Sequence, residues 1–303
     1  MAAARHPGPA IVVGLGEVLW DVYDQAACCG GAPANFACHA AALGAEAHVV
    51  SAVGDDPLGQ QALSLLRERG VNVDPVARVP EAPTGSVRVS LDASGLPQYR
   101  IQRDVAWDLI TWTAAMEELA GRADAVCFGT VAQRQPASRR TIQRFLDATG
   151  PHCLRLCDVN LRQGYFDRDV VEQSLRRSTV VKVNGDELAV LAELLGFDAT
   201  ASEAGLGHLV ERFDLRLAIL TLGARGALLR EPTQTVTVAA EPVQVVDTVG
   251  AGDAFAATMA VGLLAGCPLR ALAQHACRVA GHVCAHQGAV PALPAALRTL
   301  PTA

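Results

Sequence analysis

The segment DTVGAGD, from Asp247 to Asp253, combines glycines and a carboxylate in a pattern suited to phosphoryl transfer. Gly250 and Gly252 permit a tight turn and a close approach of the backbone to a ligand. The apolar run that follows predicts a helix, whose first turn offers free N–H groups and the positive end of its dipole. The backbone of Gly250, Ala251 and Gly252 would then form an anion hole for a transferred phosphoryl group. Beside this anion hole, the carboxylate of Asp253 can accept the proton of an attacking hydroxyl.

The chain has a single lysine, Lys182, and this restricts how a phosphate can be held. The phosphate-loop signature GxxxxGK[ST] is excluded, because Lys182 does not stand in such a loop and no other lysine exists. The backbone of the glycine turn is therefore the expected phosphate-binding device, and we assign no function to Lys182 from the sequence. The alternative interpretation takes Asp253 as a helix-start carboxylate and the glycines as a plain turn.

Two segments resemble the signatures of one protein family. DTVGAGDAF, at 247–255, resembles the C-terminal signature of the ribokinase-like (PfkB) carbohydrate kinases, and GGAPANFACHAAALG, at 30–44, resembles their N-terminal signature in the form typical of fructokinases. The resemblance extends from about Val12 to Pro294. It implies a ribokinase-like three-layer α/β/α sandwich with a mostly parallel central sheet and a small β lid. It also implies transfer of the ATP γ-phosphoryl group to a sugar hydroxyl with Mg²⁺ as cofactor, and fructose, giving fructose 6-phosphate, is the first-choice acceptor.

The resemblance assigns the sugar site to residues around the first helix and the lid. Asp21, at the end of GEVLWD, and Asn35 would hydrogen-bond sugar hydroxyls, together with Gly30 and Gly31. Taken singly, Asp21 is also explained as a surface carboxylate at a strand end, and Asn35 as a helix-start residue that satisfies backbone groups. Arg103, in the predicted lid, would favour an acidic sugar if it points inward, and would be a solvated lid charge if it points outward.

The segment DVNLRQGYF, at 158–166, predicts a strand end with three polar side chains. Alternation along the strand would put Asp158, Asn160 and Arg162 on one side. In the family the matching arginine lies near the sugar or the transferred phosphate, and a planar guanidinium suits bidentate binding of anionic oxygens. A surface ion pair between Arg162 and Asp158 is the alternative.

Two further matches imply the positions of the nucleotide and the metal. Asn184 and Glu187 have the N-x-x-E spacing of the family's metal-linked motif, so Glu187 would act on Mg²⁺ through water molecules. A helix-capping role for the same two residues is physically sound and compatible with the first role. The residues expected to line ATP are Asn184, Thr221, Gly223 and Gly226, with Cys277 flanking the adenine.

Two other groups of residues invite interpretation as metal sites. Some family members bind a monovalent cation, mostly through backbone carbonyls, so the resemblance also implies a K⁺ site, although Ala292 lacks the hydroxyl of the matching position. A helical projection places three histidines within about 40° of one another, and we interpret them as the border of an apolar helix stripe. The K⁺ positions are Asp247, Val249, Val283 and Gly288, and the histidines are His275, His282 and His286.

The elements around these motifs predict an α/β chain. Apolar runs alternate with amphipathic segments, which is typical of a parallel sheet covered by helices. The segment at 85–102 alternates apolar and polar residues around a turn, so it predicts a hairpin with a solvated face outside the central sheet. We expect one domain, 1–303, with lid elements at about 18–30 and 84–105. The predicted strands after the first lie at 47–54, 125–129, 153–160, 179–183 and 217–222, and the last two helices at 251–266 and 269–288.

Composition limits the classes of protein that the chain can be. Half of the 303 residues are hydrophobic and 18% are charged, which suits a large core and excludes a disordered chain. The net charge of -6 argues against a nucleic-acid binder. Nine cysteines without a CxxC pair favour a reduced chain, and the apolar run Ile11–Leu15 is too short for a signal peptide or a membrane span. We expect a cytoplasmic protein that binds a sugar and ATP, with no nucleic-acid or membrane partner and with a homodimer contact through the lid.

The acceptor and the function class both keep alternatives. Ribose, 2-keto-3-deoxygluconate, tagatose phosphate and nucleosides are other acceptors within the kinase class. Outside that class, the chain could be a non-catalytic sugar- or nucleotide-binding regulator on the same scaffold, since a fold does not fix a function. The retained Asp253, Asn184, Glu187 and glycines argue against the regulator.

Overall fold

The computed structural model describes residues 8–22, 27–91 and 97–302. Most strands of this part of the chain are short and buried, as expected for apolar runs of four to five residues. In chain order they are β1 (Ile11–Leu15), β2 (Leu19–Val22), β3 (Ala27–Gly30), β4 (Glu46–Gly54), β5 (Val71–Asn72), β6 (Val76–Val79), β7 (Gly85–Leu91), β8 (Pro97–Ile101), β9 (Ala125–Phe128), β10 (Leu154–Asp158), β11 (Val180–Asn184), β12 (Leu217–Thr221), β13 (Ala227–Arg230) and β14 (Thr235–Val238).

Ten of these strands form the central sheet within the described residues. The order is β14-β13-β12-β11-β10-β9-β1-β4-β5, with β6 beside β4. The strands from β12 through β5 pair in parallel, and only the β12–β13–β14 edge is antiparallel. Parallel strands place their carboxyl ends at one edge of the sheet, which is where ligands bind in open α/β folds.

Helices cover both faces of the central sheet. Successive residues of β1 point to opposite faces of the sheet: Val12 belongs to one apolar cluster, whereas Val13 and Leu15 belong to the other. The first cluster contains residues of α1, α2, α8 and α9, and the second contains residues of α3 to α7. The helices are α1 (Ala32–Ala42), α2 (Pro57–Glu68), α3 (Ala114–Arg122), α4 (Pro136–Ala148), α5 (Arg168–Arg176), α6 (Gly185–Leu195), α7 (Ser202–Phe213), α8 (Ala251–Ala265), α9 (Leu269–Cys284) and α10 (Ala295–Arg298).

A second sheet of four strands, here called the small sheet, has the order β3-β2-β7-β8. Strands β7 and β8 form the predicted antiparallel hairpin, and β2 joins it by pairing in parallel with β7. The predicted lid segments therefore meet in one sheet separate from the central one. Residues 23–26 of the first lid segment and 92–96 of the predicted turn lie outside the described part of the chain.

Several sequence predictions about elements can be compared directly with the structure. The predicted three-layer α/β/α sandwich with a mostly parallel sheet is confirmed. The predicted strand at 153–160 is too long, because β10 ends at Asp158 and Asn160 has a positive φ of 47°. All nine cysteines lie in the described residues and are free. Among the helices described, none has the length and hydropathy needed to cross a membrane.

Candidate active site

The glycine turn of DTVGAGD leads directly into α8. Gly250 is the N-cap residue, with a φ of 80° that an L side chain rarely adopts. A Cβ at Gly250 would lie 2.3 Å from the carbonyl oxygen of Ala289, so the turn is pressed against the segment after α9. The same carbonyl accepts a hydrogen bond from the buried His39 side chain at 2.9 Å. The turn is therefore fixed by backbone conformation and by packing, as the glycines predict.

Asp253 lies in the first turn of α8 and is only partly exposed. The N-terminus of α8 has no side-chain capping bond, so capping does not account for this carboxylate. Instead, the Asn35 side-chain amide donates to Asp253 Oδ2 at 2.8 Å. Burial, with the nearby charge of Asp158, raises the Asp253 pKa to about 6, whereas Asn35, Lys182 and Arg162 act to lower that pKa. The carboxylate is thus oriented and mainly ionised at neutral pH.

An ion pair that the sequence did not predict lies beneath this turn. Lys182 Nζ is 2.8 Å from both carboxylate oxygens of Asp158, and both residues are buried. A Cβ at Gly252 would stand 3.2 Å from Lys182 Nζ, so the ammonium group faces the first turn of α8 at the side where Gly252 lacks a side chain. The available signal was a lone lysine inside the apolar strand VVKVN, since a lysine is almost never buried without a partner.

Glu17 is a second site residue that the sequence did not reveal. It follows β1 and is 3% exposed, and its Oε2 is buried with no hydrogen-bond partner among the residues that the structure describes. Burial raises the Glu17 pKa from 4.5 to about 7, and the charge of Asp253 adds to this effect. A cavity of about 10 Å³ is lined by Glu17, Asp158 and Asp253 among other residues. Three carboxyl groups therefore converge at the carboxyl edge of the central sheet.

The position of Arg162 corrects two expectations. Alternation cannot align it with Asp158, because the chain leaves the strand after Asp158 and Asn160 adopts a left-handed conformation. The alternative ion pair with Asp158 is also wrong, since that carboxylate binds Lys182. Arg162 is exposed, and its positive charge lowers the pKa of both Asp253 and Glu17. It therefore lies within electrostatic reach of the site.

The residues expected to contact the sugar are gathered around the start of α1. Asp21 lies in β2, and a Cβ at Gly30 would come within 3.0 Å of Asp21 Oδ2. Burial, with a contribution from Asp247, raises the Asp21 pKa to about 6. Gly31 has a φ of 106°, and a Cβ there would meet the Glu17 carbonyl oxygen at 2.4 Å. Glycine is thus required at Gly31 by the close approach of two chain segments.

Asn184 and Glu187 form the capping box of α6. The Asn184 side chain accepts from the Glu187 N–H at 2.9 Å, and Glu187 Oε2 accepts from the Asn184 N–H at 2.9 Å. Glu187 Oε1 also accepts from the Leu161 N–H at 3.2 Å. Burial, followed by the charge of Asp158, raises the Glu187 pKa. The capping role is confirmed, and the magnesium role stays a prediction.

The turn after β12 contains the residues predicted to line the nucleotide. Thr221 Oγ1 donates to the Val183 carbonyl at 3.3 Å. Gly223 has a φ of 57° and is exposed with open space around its Cα. Gly226 has a φ of 100°, and a Cβ there would collide with the Val238 carbonyl oxygen at 2.0 Å. Cys277 is buried in α9, and its adenine role stays a prediction.

Asp247 contacts two of the other three predicted monovalent-cation positions, Val249 and Gly288. Its carboxylate oxygens accept from the Val249 N–H and the Gly288 N–H, both at 3.0 Å. Val283, the fourth position, is buried in α9. His275, His282 and His286 each contact a backbone carbonyl oxygen, of Leu297, Ala292 and His282 respectively.

Arg103 lies two residues after the end of β8 and is exposed. Its Nε donates to the Tyr165 hydroxyl at 3.4 Å, and its guanidinium carbon lies 5.4 Å from the Tyr165 ring centre. It also lines a polar cavity of about 260 Å³ with Arg134 and Arg139. This placement agrees with a solvated charge at the margin of the small sheet.

Comparison with known proteins decides the family. Residues 24–296 match the sequence profile described as pfkB family carbohydrate kinase. The chain belongs to the pfkB family of carbohydrate kinases. The resemblance of its two signatures to this family is therefore confirmed, and the glycine turn and Asp253 belong to a carbohydrate kinase.

Relatives of this pfkB-family kinase match it over most of its length. A fructokinase of Klebsiella pneumoniae is 32% identical over 247 residues, covering 78% of each chain. An uncharacterized sugar kinase from Pyrococcus horikoshii, solved in complex with ATP, is 28% identical with a TM-score of 0.76, covering 92% of this chain and 93% of that one. A fructokinase from Xylella fastidiosa with bound ATP is 24% identical with a TM-score of 0.84, covering 94% and 95%, and it supports the fold alone.

Proposed function

We propose that this carbohydrate kinase transfers the γ-phosphoryl group of ATP to a sugar hydroxyl, with Asp253 as the catalytic base. The observation that carries the proposal is the carboxylate of Asp253, which no capping bond uses and which Asn35 orients at the N-terminus of α8. A base at this point stands next to backbone N–H groups that face an incoming phosphoryl group.

In the proposed reaction, ATP donates its γ-phosphoryl group and the acceptor hydroxyl loses its proton. The acceptor oxygen bonds to the γ-phosphorus, its proton passes to Asp253, and the bond from the γ-phosphorus to the bridging oxygen breaks, so that ADP leaves with the electron pair. The N–H groups at Gly250, Ala251 and Gly252 would stabilise the developing negative charge. The Ala251 N–H is available for this role, because its bond to the Thr248 carbonyl is long, at 3.4 Å. Arg162 would add a positive charge nearby.

Magnesium fits this site only through water molecules. Glu187 is buried and both of its oxygens already accept backbone N–H bonds, so a direct place in the metal's inner shell would disrupt the α6 cap. When bound, Mg²⁺ would neutralise charge on the nucleotide phosphates. The K⁺ positions around Asp247 are a further part of the proposal, because Asp247 already holds the Val249 and Gly288 segments together.

The nucleotide is assigned by similarity and by the turn after β12. The related Pyrococcus horikoshii sugar kinase was solved in complex with ATP. We propose that ATP lies against Asn184, Thr221, Gly223 and Gly226, with its adenine near Cys277. The positive φ of Gly223 and the open space around it suit a backbone that approaches phosphates.

The acceptor is proposed to be fructose, phosphorylated at its 6-hydroxyl. The fructokinase form of the segment at 30–44 and the 32% identity to the Klebsiella pneumoniae fructokinase support this choice. Asp21, Gly30, Gly31 and Asn35 would contact the sugar, and Arg103 would stand at the margin of its pocket. We further propose that residues 1–303 form one kinase domain, and that the small sheet closes over the sugar and supplies a homodimer contact.

The test is a coupled assay of ADP release across a panel of sugars, at saturating ATP and Mg²⁺. Fructose should give the highest kcat/KM among fructose, ribose, 2-keto-3-deoxygluconate, a phosphorylated ketohexose and nucleosides. A higher kcat/KM for another sugar would replace fructose and keep the kinase assignment. Tight sugar binding without ADP release for any member would favour a non-catalytic regulator.

A further inference from the structure

We propose that the buried pair of Lys182 and Asp158 is a positioning element of the kinase, which supports the α8 turn at Gly252 and balances the charge around the base. The inference rests on the proposed role of Asp253 as the base. The pair would not touch the sugar or the nucleotide. Its effect on phosphoryl transfer would pass through the turn and through the electrostatic potential at Asp253.

The position of the pair in the central sheet supports this role. Asp158 is the last residue of β10 and is the register partner of Lys182 in the neighbouring parallel strand β11. Both side chains therefore lie at the carboxyl edge of the sheet, under the N-terminus of α8. The two contacts of 2.8 Å satisfy both carboxylate oxygens. The pair is therefore a buried contact with a defined geometry and not a mobile surface ion pair.

Stability alone does not explain the location of the Lys182 ammonium group. It faces the first turn of α8 at Gly252, where the helix dipole is already positive. A buried ion pair is, in addition, often no more stabilising than apolar residues of similar volume. A purely structural contact would not need the chain's single lysine at this point. A fixed positive charge beneath an anion hole, by contrast, favours the negative charge that develops above it.

The groups that face Asp253 show what the pair balances. Negative charge comes from Asp158 and from the Glu17 carboxyl group, and Glu187 lies within electrostatic reach of the pair. Asn35 contributes a neutral amide, and Cys127 of β9 a buried thiol. The positive groups in reach of Asp253 are Lys182, which is buried, and Arg162, which is exposed. Asp158 raises the Asp253 pKa and Lys182 lowers it, so the two partners oppose one another.

The single lysine makes a direct test possible. Protein labelled with ¹³C and ¹⁵N only in lysine, with a lysine-free tag, gives one set of side-chain NMR signals. We expect the Lys182 ¹³Cε signal to shift between pH 5 and pH 8 with a midpoint near 6, the pKa of Asp253. Asp253→Asn should remove this titration, whereas Glu17→Gln should keep it. A signal that does not titrate, or that titrates unchanged in Asp253→Asn, would overturn the proposal.

Steady-state kinetics provide a second test, because the loss of Asp158 and the loss of Lys182 should shift the pH dependence of kcat/KM in opposite directions. Asp158→Asn removes a charge that raises the Asp253 pKa, so the acid limb of kcat/KM should move to lower pH by about one unit. Adding Lys182→Met in that background removes a charge that lowers the same pKa, so the limb should return to higher pH. The double variant also avoids leaving Asp158 buried and unpaired.

Asp108→Asn is the matched control, because Asp108 forms a buried pair with Arg134 at 2.7 Å on the other face of the central sheet. It should lower thermal stability and leave the pH of the acid limb unchanged. Equal acid limbs in the wild-type protein, Asp158→Asn and the double variant would contradict the proposal. The failures are distinguishable: turnover that survives Asp253→Asn refutes the base, whereas lost turnover together with a Lys182 signal that never titrates refutes the pair alone.

Discussion

The residues beneath and around the proposed base, here called the floor of the site (Glu17, Asp158, Lys182 and the glycine turn at 250–252), are held differently from the small sheet. On the floor, Asp158 and Lys182 are buried and paired, and Gly250 is pressed against a neighbouring backbone. In the small sheet, Arg100 of β8 is exposed, and so is Arg103, which lies two residues after β8. The groups proposed for phosphoryl transfer are thus fixed by packing, whereas the margin of the acceptor pocket consists of side chains that can change without loss of the core.

The floor should tolerate almost no added volume at Gly250. Gly250→Ala combines a left-handed φ with a Cβ 2.3 Å from the Ala289 carbonyl oxygen. We expect the free energy of unfolding to fall by about 2–5 kcal/mol. We also expect kcat to fall at least about 100-fold, because the backbone N–H groups would be displaced. Chemical denaturation and the ADP-release assay measure the two effects.

Gly266→Ala is a control for Gly250→Ala, because it has a similar backbone strain without the steric collision. Gly266 ends the same helix with a φ of 76°, but a Cβ added there would have no atom of the described part of the chain within 4 Å. This control should lose only about 1–2 kcal/mol of stability and keep its activity. Similar losses of kcat in the two variants would mean that the floor is no more sensitive than the opposite end of α8.

The buried carboxyl group of Glu17, in the floor of the site, should make the stability of the folded protein depend on pH. Its pKa is raised from 4.5 to about 7, so its favourable contribution is complete below pH 4.5 and is lost as the pH rises through 7. Glu17→Gln cannot ionise. Relative to wild type, its free energy of unfolding should therefore rise between pH 5 and pH 8, by up to about 3 kcal/mol.

Urea denaturation at several pH values measures this change. The exposed Glu81 gives a matched control, since Glu81→Gln should follow the wild-type pH profile. A constant stability difference between Glu17→Gln and wild type across pH 5–8 would show that Glu17 does not carry the buried charge.

The small sheet should show the smallest effects on the chemical step. Arg103→Ala removes an exposed side chain that contacts Tyr165, so we expect kcat within about twofold of wild type and a change of a few-fold in the KM for the sugar. Arg100→Ala, also exposed, is the control and should leave both constants unchanged. A large fall in kcat for Arg103→Ala would place this side chain at the reacting atoms and remove the contrast between the two regions.

Much of the fold was predictable because local signals and the sheet agree. The apolar runs gave the central strands, and the alternating segment at 85–102 gave the hairpin of the small sheet. The glycine turn and α8 followed from DTVGAGD, since a positive φ at Gly250 requires glycine. Asn35 was selected for the sugar, and the structure adds its bond to Asp253, which joins residues 218 positions apart.

The remaining features depend on contacts that no local pattern contains. Lys182 received no function from the sequence, because its partner Asp158 lies 24 residues earlier and becomes its neighbour only through parallel strand pairing. Glu17 follows the apolar run Ile11–Leu15, and its burial depends on the start of α1 packing over it. Arg162 was aligned by strand alternation, which fails once Asn160 leaves the strand.

The role of Asp253 is tested most directly by Asp253→Asn, with turnover and ligand binding measured on the same preparation. We expect kcat to fall by several orders of magnitude, while calorimetry still detects sugar binding and the protein keeps its unfolding temperature. The isosteric amide keeps the volume and can still contact Asn35, so the loss would report the missing base. Near-normal turnover in Asp253→Asn would show that Asp253 is not the catalytic base.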